Sequence, residues 1–244
     1  IGVHLEDGRI LEADWTISAI DGRTTIYDLL NSQYIDDAVS RRYHDLSLAD
    51  PVVQVALGVR SDLSDEPHEQ MDLFRQPLYL AGRDQPHLRY RHYARDPSVA
   101  PPGRTVIITH LPADYDYWQS LRYGSSRYEM EKLAVVHTVV DHLELRYQGI
   151  SAEIEMPDVA TPLTYERFTG SHHGIGHSFA LAPQAAQFAV NGMDPTLPGL
   201  AGFYQIGQWT QPGGGMFYAA RSGREIVQRI CRQDGKRFTG GKNA

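Results

Sequence analysis

The sequence lacks several features that would define a function outright. Its 244 residues hold one cysteine, Cys231. That excludes a disulfide framework and a Cys-built metal site, and it suits a reducing, cytoplasmic compartment. No apolar run approaches the ~20 residues that cross a bilayer, so any membrane contact is expected to be peripheral. Basic residues are outnumbered: 23 Lys and Arg stand against 30 Asp and Glu, for a formal net charge of -7. Nucleic acid is therefore not expected as a partner. A G-x-S-x-G elbow is missing, and with it the α/β-hydrolase route for Ser171 or Ser178. Also missing is the G-x-G-x-x-G loop that follows the first strand of dinucleotide-binding folds. What remains has an ordinary globular composition, 41% hydrophobic, and is long enough for one domain or two.

Glycine is concentrated in one telling place. In "YQIGQWTQPGGGMFYAARSGREIVQRI" a strand over Phe203 to Ile206 is followed by a turn at Pro212, then Gly213, Gly214 and Gly215, then a helix from about Met216 to Cys231. Glycine loses the most entropy on ordering, so three before a helix imply a gain from having no side chains there. A helix start without Cβ atoms lets a ligand approach free N–H groups at the positive end of the helix dipole. The first carboxylate of this helix is Glu225, which leaves that end free for an external acceptor. A plain Gly-rich connection leading into an amphipathic helix fits the pattern equally well.

Elsewhere the chain alternates turn chemistry with apolar runs. An Asp7-Gly8 turn joins Val3 and Leu5 to Ile10 and Leu11 as a hairpin. The chain starts without Met and already in a strand, as expected of a segment from a longer protein. "WTISAID" reads as a strand, and "RTTIYDLLN" as a helix start capped by Thr24 or Thr25. "VVQVALGV", "QPLYLAG" and "TVIITHL" read as antiparallel strands, with "RSDLSDEPHEQMD" as a solvated connection. Met130, Leu133, Val136, Val140, Leu143 and Leu145 mark an amphipathic helix ending near Gly149. "TPLTYERF" reads as a turn feeding a short helix. In "ADYDYW", Tyr115, Tyr117 and Trp118 read as packing residues.

Four segments in this order, "GVHLEDGRILEADWTISAID", "DPSVAPPGRTVIITHLPADYDYW", "DVATPLTYERFTG" and "GLAGFYQIGQWTQPGGGMFYAARSGREIVQRI", resemble the C-terminal half of the phytoene-desaturase-like flavoproteins. That group comprises carotenoid desaturases, carotene isomerases and retinol saturases. The resemblance implies an α/β fold of α+β character, in which a partial FAD/NAD(P)-binding-like domain carries an inserted substrate domain with a mixed or antiparallel sheet. Residues 1-27 would end the middle FAD-domain segment, 28-195 would form the substrate domain, and 196-244 the last FAD-domain segment. It implies FAD as cofactor, with Gly213, Gly214, Gly215 and Met216 at the flavin ring and Gly207 and Gln208 on the strand end near the ribityl chain. Members of that group often have a small residue and an acid just after the strand glycine, where this chain has Gln208 and Trp209, so no carboxylate contact to the cofactor is expected there. The expected partners are a lipophilic polyene and an N-terminal dinucleotide-binding segment absent from these residues, so the chain alone is expected to be inactive as an oxidoreductase.

On the same reading Tyr165, Phe168, His173 and His177 line the substrate channel, and Val53, Val55, Leu57, Leu78 and Leu80 supply apolar walls; the stretch from Tyr165 to Phe168 fits equally well a capped helix start with Glu166 and Arg167 paired on the surface. Period-2 patterning alone allows those aliphatic residues to be plain core instead. His173 and His177 are spaced i, i+4, but the glycines between them and the missing Glu disfavour a metal-binding helix. No catalytic side chain is singled out, because a flavin performs the redox chemistry itself. A substrate-binding or interaction module on the same scaffold, without redox activity, is the alternative.

Overall fold

Strict alternation in "VVQVALGV" puts valines and a leucine on one side of a strand, while Ser, Asp and Gly cluster at the turns. The computed structural model, which describes residues 2–185, 188 and 192–240, builds its elements accordingly. In chain order they begin with β1 (Gly2–His4), β2 (Ile10–Glu12) and β3 (Thr16–Ser18), then a wide π-type turn (Thr24–Leu29) and α1 (Asp37–Asp45). Next come β4 (Val52–Val59), β5 (Glu69–Leu80), β6 (Arg83–His92), β7 (Thr105–Pro112), α2 (Tyr115–Leu121) and α3 (Ser126–Arg146). The chain finishes with β8 (Ile154–Ala160), α4 (Pro162–Thr169), β9 (Phe203–Gln205) and α5 (Met216–Gln233). Helices and both parallel and antiparallel pairings occur together, an α/β fold of α+β character.

The chain forms two compact units. One comprises residues 1–49, 170–172 and 176–244, the other residues 50–169 and 173–175. These limits differ from the sequence-based division at 27/28 and 195/196. Residues 28–49 belong with the first unit because Tyr43 of α1 packs against Phe179 and Trp209 there. In that unit β1 and β2 form the expected hairpin, and β3 and β9 pair in parallel, Thr16 opposite Phe203 and Ser18 opposite Gln205. All three β9 residues are buried. The cap of the π-type turn is neither Thr24 nor Thr25. It is Asp21, whose carboxylate accepts from the N–H groups of Arg23 and Thr24 at 2.8 and 3.0 Å.

The second unit is a five-stranded antiparallel sheet in the order β5-β6-β7-β4-β8. β5 starts inside the stretch that reads as a polar connection, and β6, α2 and β8 have no counterpart in the sequence reading. In β6, Leu88, Tyr90 and His92 are buried at every second position, a pattern its polar composition hides. Val53, Val55, Leu57 and Val59 pack with Leu80, Ile107 and Leu111 against Val135, Val136, Val139 and Leu143 of α3. Val53, Val55, Leu57 and Leu80 are thus core rather than channel wall, and Leu78 is exposed. The helix turns its Val135–Val139–Leu143 stripe inward, so Met130, Leu133 and Leu145 face solvent. Ser125 caps α3 through its hydroxyl, which accepts from Tyr128 N at 3.1 Å.

Candidate functional site

The glycine run is the feature of the first unit that has no purely packing explanation. Gly213, Gly214 and Gly215 all have positive φ (84°, 54° and 97°), so each lies where a Cβ is disfavoured. Their surroundings differ. A Cβ on Gly213 would stand 3.0 Å from Leu181, and one on Gly214 3.3 Å from the Cβ and Cγ of His177. One on Gly215 would meet nothing within 4 Å. Gly215 is also the residue that starts α5, with no side-chain cap and no acidic residue in the first turn. The open approach to the helix end is therefore at Gly215, Met216 and Phe217, the last two 91% and 74% exposed.

The turn is held from behind. Gly213 N–H donates to Phe179 O at 3.0 Å. Gly207, with φ 93°, donates its N–H to the hydroxyl of Ser222 at 2.8 Å, tying the end of β9 to α5. Ser178 donates to the carbonyl of Gln208 at 2.5 Å. Trp209 turns inward beneath Gly22 and stacks on Tyr43. It is a core residue. His177, exposed, lies against Gly214, which brings one expected channel residue to the glycine turn. Alongside, a cavity of about 320 Å³ is lined by Gln205, Ser222, Ile226, Arg229 and Arg232 among others. Gln205 is buried, and its Nε2 has no partner among the described residues.

The other expected channel residues lie in the second unit. His173 sits in a short 3-10 turn with φ 54°, not in a helix, and stacks on Tyr115 at 4.1 Å between ring centroids. Gly174 follows it and is pressed against the Pro162 carbonyl, where a Cβ would collide. Because this segment is not helical, His173 and His177 share no helical face. Phe168 is 75% exposed on α4, beneath the Arg167 guanidinium. Tyr115 donates to Glu166 at 2.7 Å, and burial with that carboxylate pushes its hydroxyl up to about 12.

Tyr165, expected to line a channel, is the one of these residues with a polar network around it. Its hydroxyl donates to Gln54 Oε1 at 3.1 Å, and His110 Nε2 lies 2.9 Å from the same oxygen. Gln54 and His110 are cross-strand partners on β4 and β7, on the face opposite the core. Sequence reasoning passed over both, although a Gln in "VVQVALGV" and a His in "TVIITHL" are polar breaks in apolar strands. Desolvation, with the Arg91 and Arg89 guanidiniums nearby, holds the His110 imidazole below its ordinary value. Desolvation and Asp158 raise the Tyr165 hydroxyl. His110 should therefore titrate below a solvent-exposed histidine. Because the unfolded ring takes the proton first, its contribution to stability is complete above the unfolded pKa and is lost as pH falls through the lower folded one. Imidazole NMR across pH 4 to 8 checks this, and an upfield-to-downfield midpoint at or above the free-histidine value would contradict it.

Among solved structures the fold is similar to that of an oxidoreductase from Methanosarcina mazei, with a TM-score of 0.51 and 16% identity over 91% of this chain and 44% of that one. The chain spans less than half the length of that protein. No protein-family model matches it, and no curated protein does. Among the described residues no helix is long and apolar enough to cross a membrane.

Proposed function

We propose that the chain is the flavin-ring and substrate portion of an FAD-dependent oxidoreductase that desaturates, saturates or isomerises a lipophilic polyene. The observation that carries this reading is the parallel β3–β9 pair running into an uncapped α5 through Gly215, where a side chain would meet only open space. Gly215 and the first N–H groups of α5 fit the electron-rich edge of a flavin ring. Bound there, FAD would supply the hydride or electron transfer. The residues of this chain would orient the ring: Gly207 and Ser222 by fixing the strand end, Met216 and Phe217 by covering the helix start. A buried strand in a sheet of two, and the Gln205 Nε2 that has no partner among the described residues, fit a missing neighbour. In this reading the neighbour is the dinucleotide-binding segment that grips the adenine end. A polyene would be drawn from lipid, so peripheral membrane contact belongs to the same proposal.

Phe217→Glu tests it. A carboxylate in the first turn of α5 should stabilise this chain by about 0.3–1 kcal/mol through the helix dipole. In a protein that also carries the dinucleotide-binding segment, the same change should reduce flavin per chain several-fold by repelling the ring carbonyls. The 244 residues alone should stay colourless after desalting from FAD. A flavin content unaffected by the substitution would remove the cofactor assignment and favour a non-redox binding module.

A further inference from the structure

The cavity of about 320 Å³ beside β9 is walled on one side by a single face of α5. Ser222, Glu225, Ile226, Arg229 and Arg232 follow one another at intervals of one to three residues that return to the same face, at i, i+3, i+4, i+7 and i+10. The volume is more than an order of magnitude above the about 10–15 Å³ that one water needs, so a small organic molecule fits. Its floor includes Gln205, 1% exposed. The Tyr43 hydroxyl donates to Gln205 Oε1 at 3.5 Å, which turns Nε2 the other way, and that nitrogen has no partner among the described residues. A buried donor in that position is costly unless something accepts from it.

The charges of the lining do not cancel. Glu225 is committed to Arg221 at 2.7 Å. Arg229 is half-buried and Arg232 exposed, and neither forms an ion pair among the described residues. Arg229 is nevertheless held in place. Its guanidinium lies over the Tyr204 ring at 5.3 Å, and Tyr204 is stacked on Trp15 and donates to Gln233 Oε1 at 3.0 Å. The nearby hydroxyls have spent their protons, Thr210 on Gly207 O and Ser222 on Ala219 O. Gln205 Nε2, Arg229 and Arg232 therefore offer N–H donors alone, with two positive charges unbalanced. A carboxylate would leave one guanidinium uncompensated. A phosphate monoester, near two negative charges at pH 7 and with three acceptor oxygens, matches both the charges and the donors.

We propose that this cavity binds a small molecule by a phosphate monoester group, whose oxygens accept from Gln205 Nε2 and from the guanidiniums of Arg229 and Arg232. The site is separate from the helix start, because Arg229 stands 229 − 216 = 13 residues beyond Met216, about 20 Å along the axis of α5. The proposal does not rest on the flavin reading: a segment beside β9 could cover Gln205, but the two unbalanced guanidiniums on α5 ask for a dianion whether or not that segment is there.

Inorganic phosphate, glycerol 3-phosphate and lactate, titrated against the full chain at neutral pH and constant ionic strength, test it. Affinities come from calorimetry, and 15N–1H spectra follow the Gln205 side-chain amide. Both phosphates should shift that amide saturably, and lactate should bind at least about tenfold more weakly. Gln205→Leu and Arg229→Gln should each weaken glycerol 3-phosphate about tenfold or more, the worth of a hydrogen bond to a charged group. Glu225→Gln takes a carboxylate out of the lining and should tighten binding about twofold to fivefold, a gain that no unfolding produces. Thermal melts in phosphate-free buffer identify any variant that fails to fold. Lactate binding as tightly as the phosphates, an amide that does not shift, or affinities unchanged in folded Gln205→Leu and Arg229→Gln would overturn the proposal. So would loss of phosphate binding in Phe217→Glu with retention in Gln205→Leu, since the anion would then sit at the helix start.

Discussion

Trp209→Ala is expected to destabilise the unit of residues 1–49 and 176–244 by about 3–5 kcal/mol, as for a large aromatic lost from a core. The indole is 1% exposed. It stacks on Tyr43 with centroids 5.8 Å apart and meets the edge of Phe179 at 5.2 Å. A side chain on Gly22 would strike it, so the neighbours cannot simply settle into the space. Trp209→Phe, which keeps the stacking surface, should recover a large part of the loss. Urea unfolding checks this, and a cost below about 1 kcal/mol for the alanine variant would mean that the aromatic cluster is not what holds the unit together.

Gly214→Val is expected to lower the stability of the chain itself by about 1–3 kcal/mol, before any cofactor is considered. A β-branched residue at φ 54° is strained, and its Cβ would also press on His177 at 3.3 Å. Gly215→Ala carries a backbone penalty of the same kind without the contact, so it should cost less. Denaturant midpoints of the two variants beside the parent chain make the comparison. Should Gly214→Val unfold like the parent while a flavin-binding form of the protein loses its cofactor, the glycine would serve a ligand alone and the packing argument would be wrong.

That second expectation marks where sequence reading succeeds and where it stops. Three glycines before an acid-free helix turn were legible as a special helix start, because glycine and the charge pattern act locally. That His177 fills the space over Gly214 was not, since two residues 37 positions apart meet only through tertiary packing. The same division holds in the sheet. Alternation in β4 and β7 identified strands, yet it left open whether Val53, Val55 and Leu57 line a channel or a core. Only α3 lying on that face decides it. β6 escaped because "RDQPHLRYRH" is polar by composition, and its buried residues announce themselves only by alternation. Gln54 and His110 could have been flagged as polar residues in apolar strands, but their convergence on one oxygen depends on the register of β4 with β7. Asp21 capped the turn that Thr24 and Thr25 were expected to cap, for a similar reason: its carboxylate also receives His172 N–H at 2.9 Å, a bond from far along the chain.

The parallel pairing of β3 with β9 bears on the order in which the chain assembles. Thr16 opposes Phe203, 203 − 16 = 187 positions later, so closing that contact in an unfolded chain carries a loop entropy on the order of 4–5 kcal/mol. The five-stranded sheet, by contrast, closes largely through neighbouring strands such as the tight β5–β6 hairpin. Once β8 has joined β4, with Gln54 opposite Ala160, the two ends of the inserted unit are brought together and most of the intervening length no longer counts as flexible loop. The five-stranded sheet is thus expected to form first, and mutations that slow its formation should delay the β3–β9 contact as well.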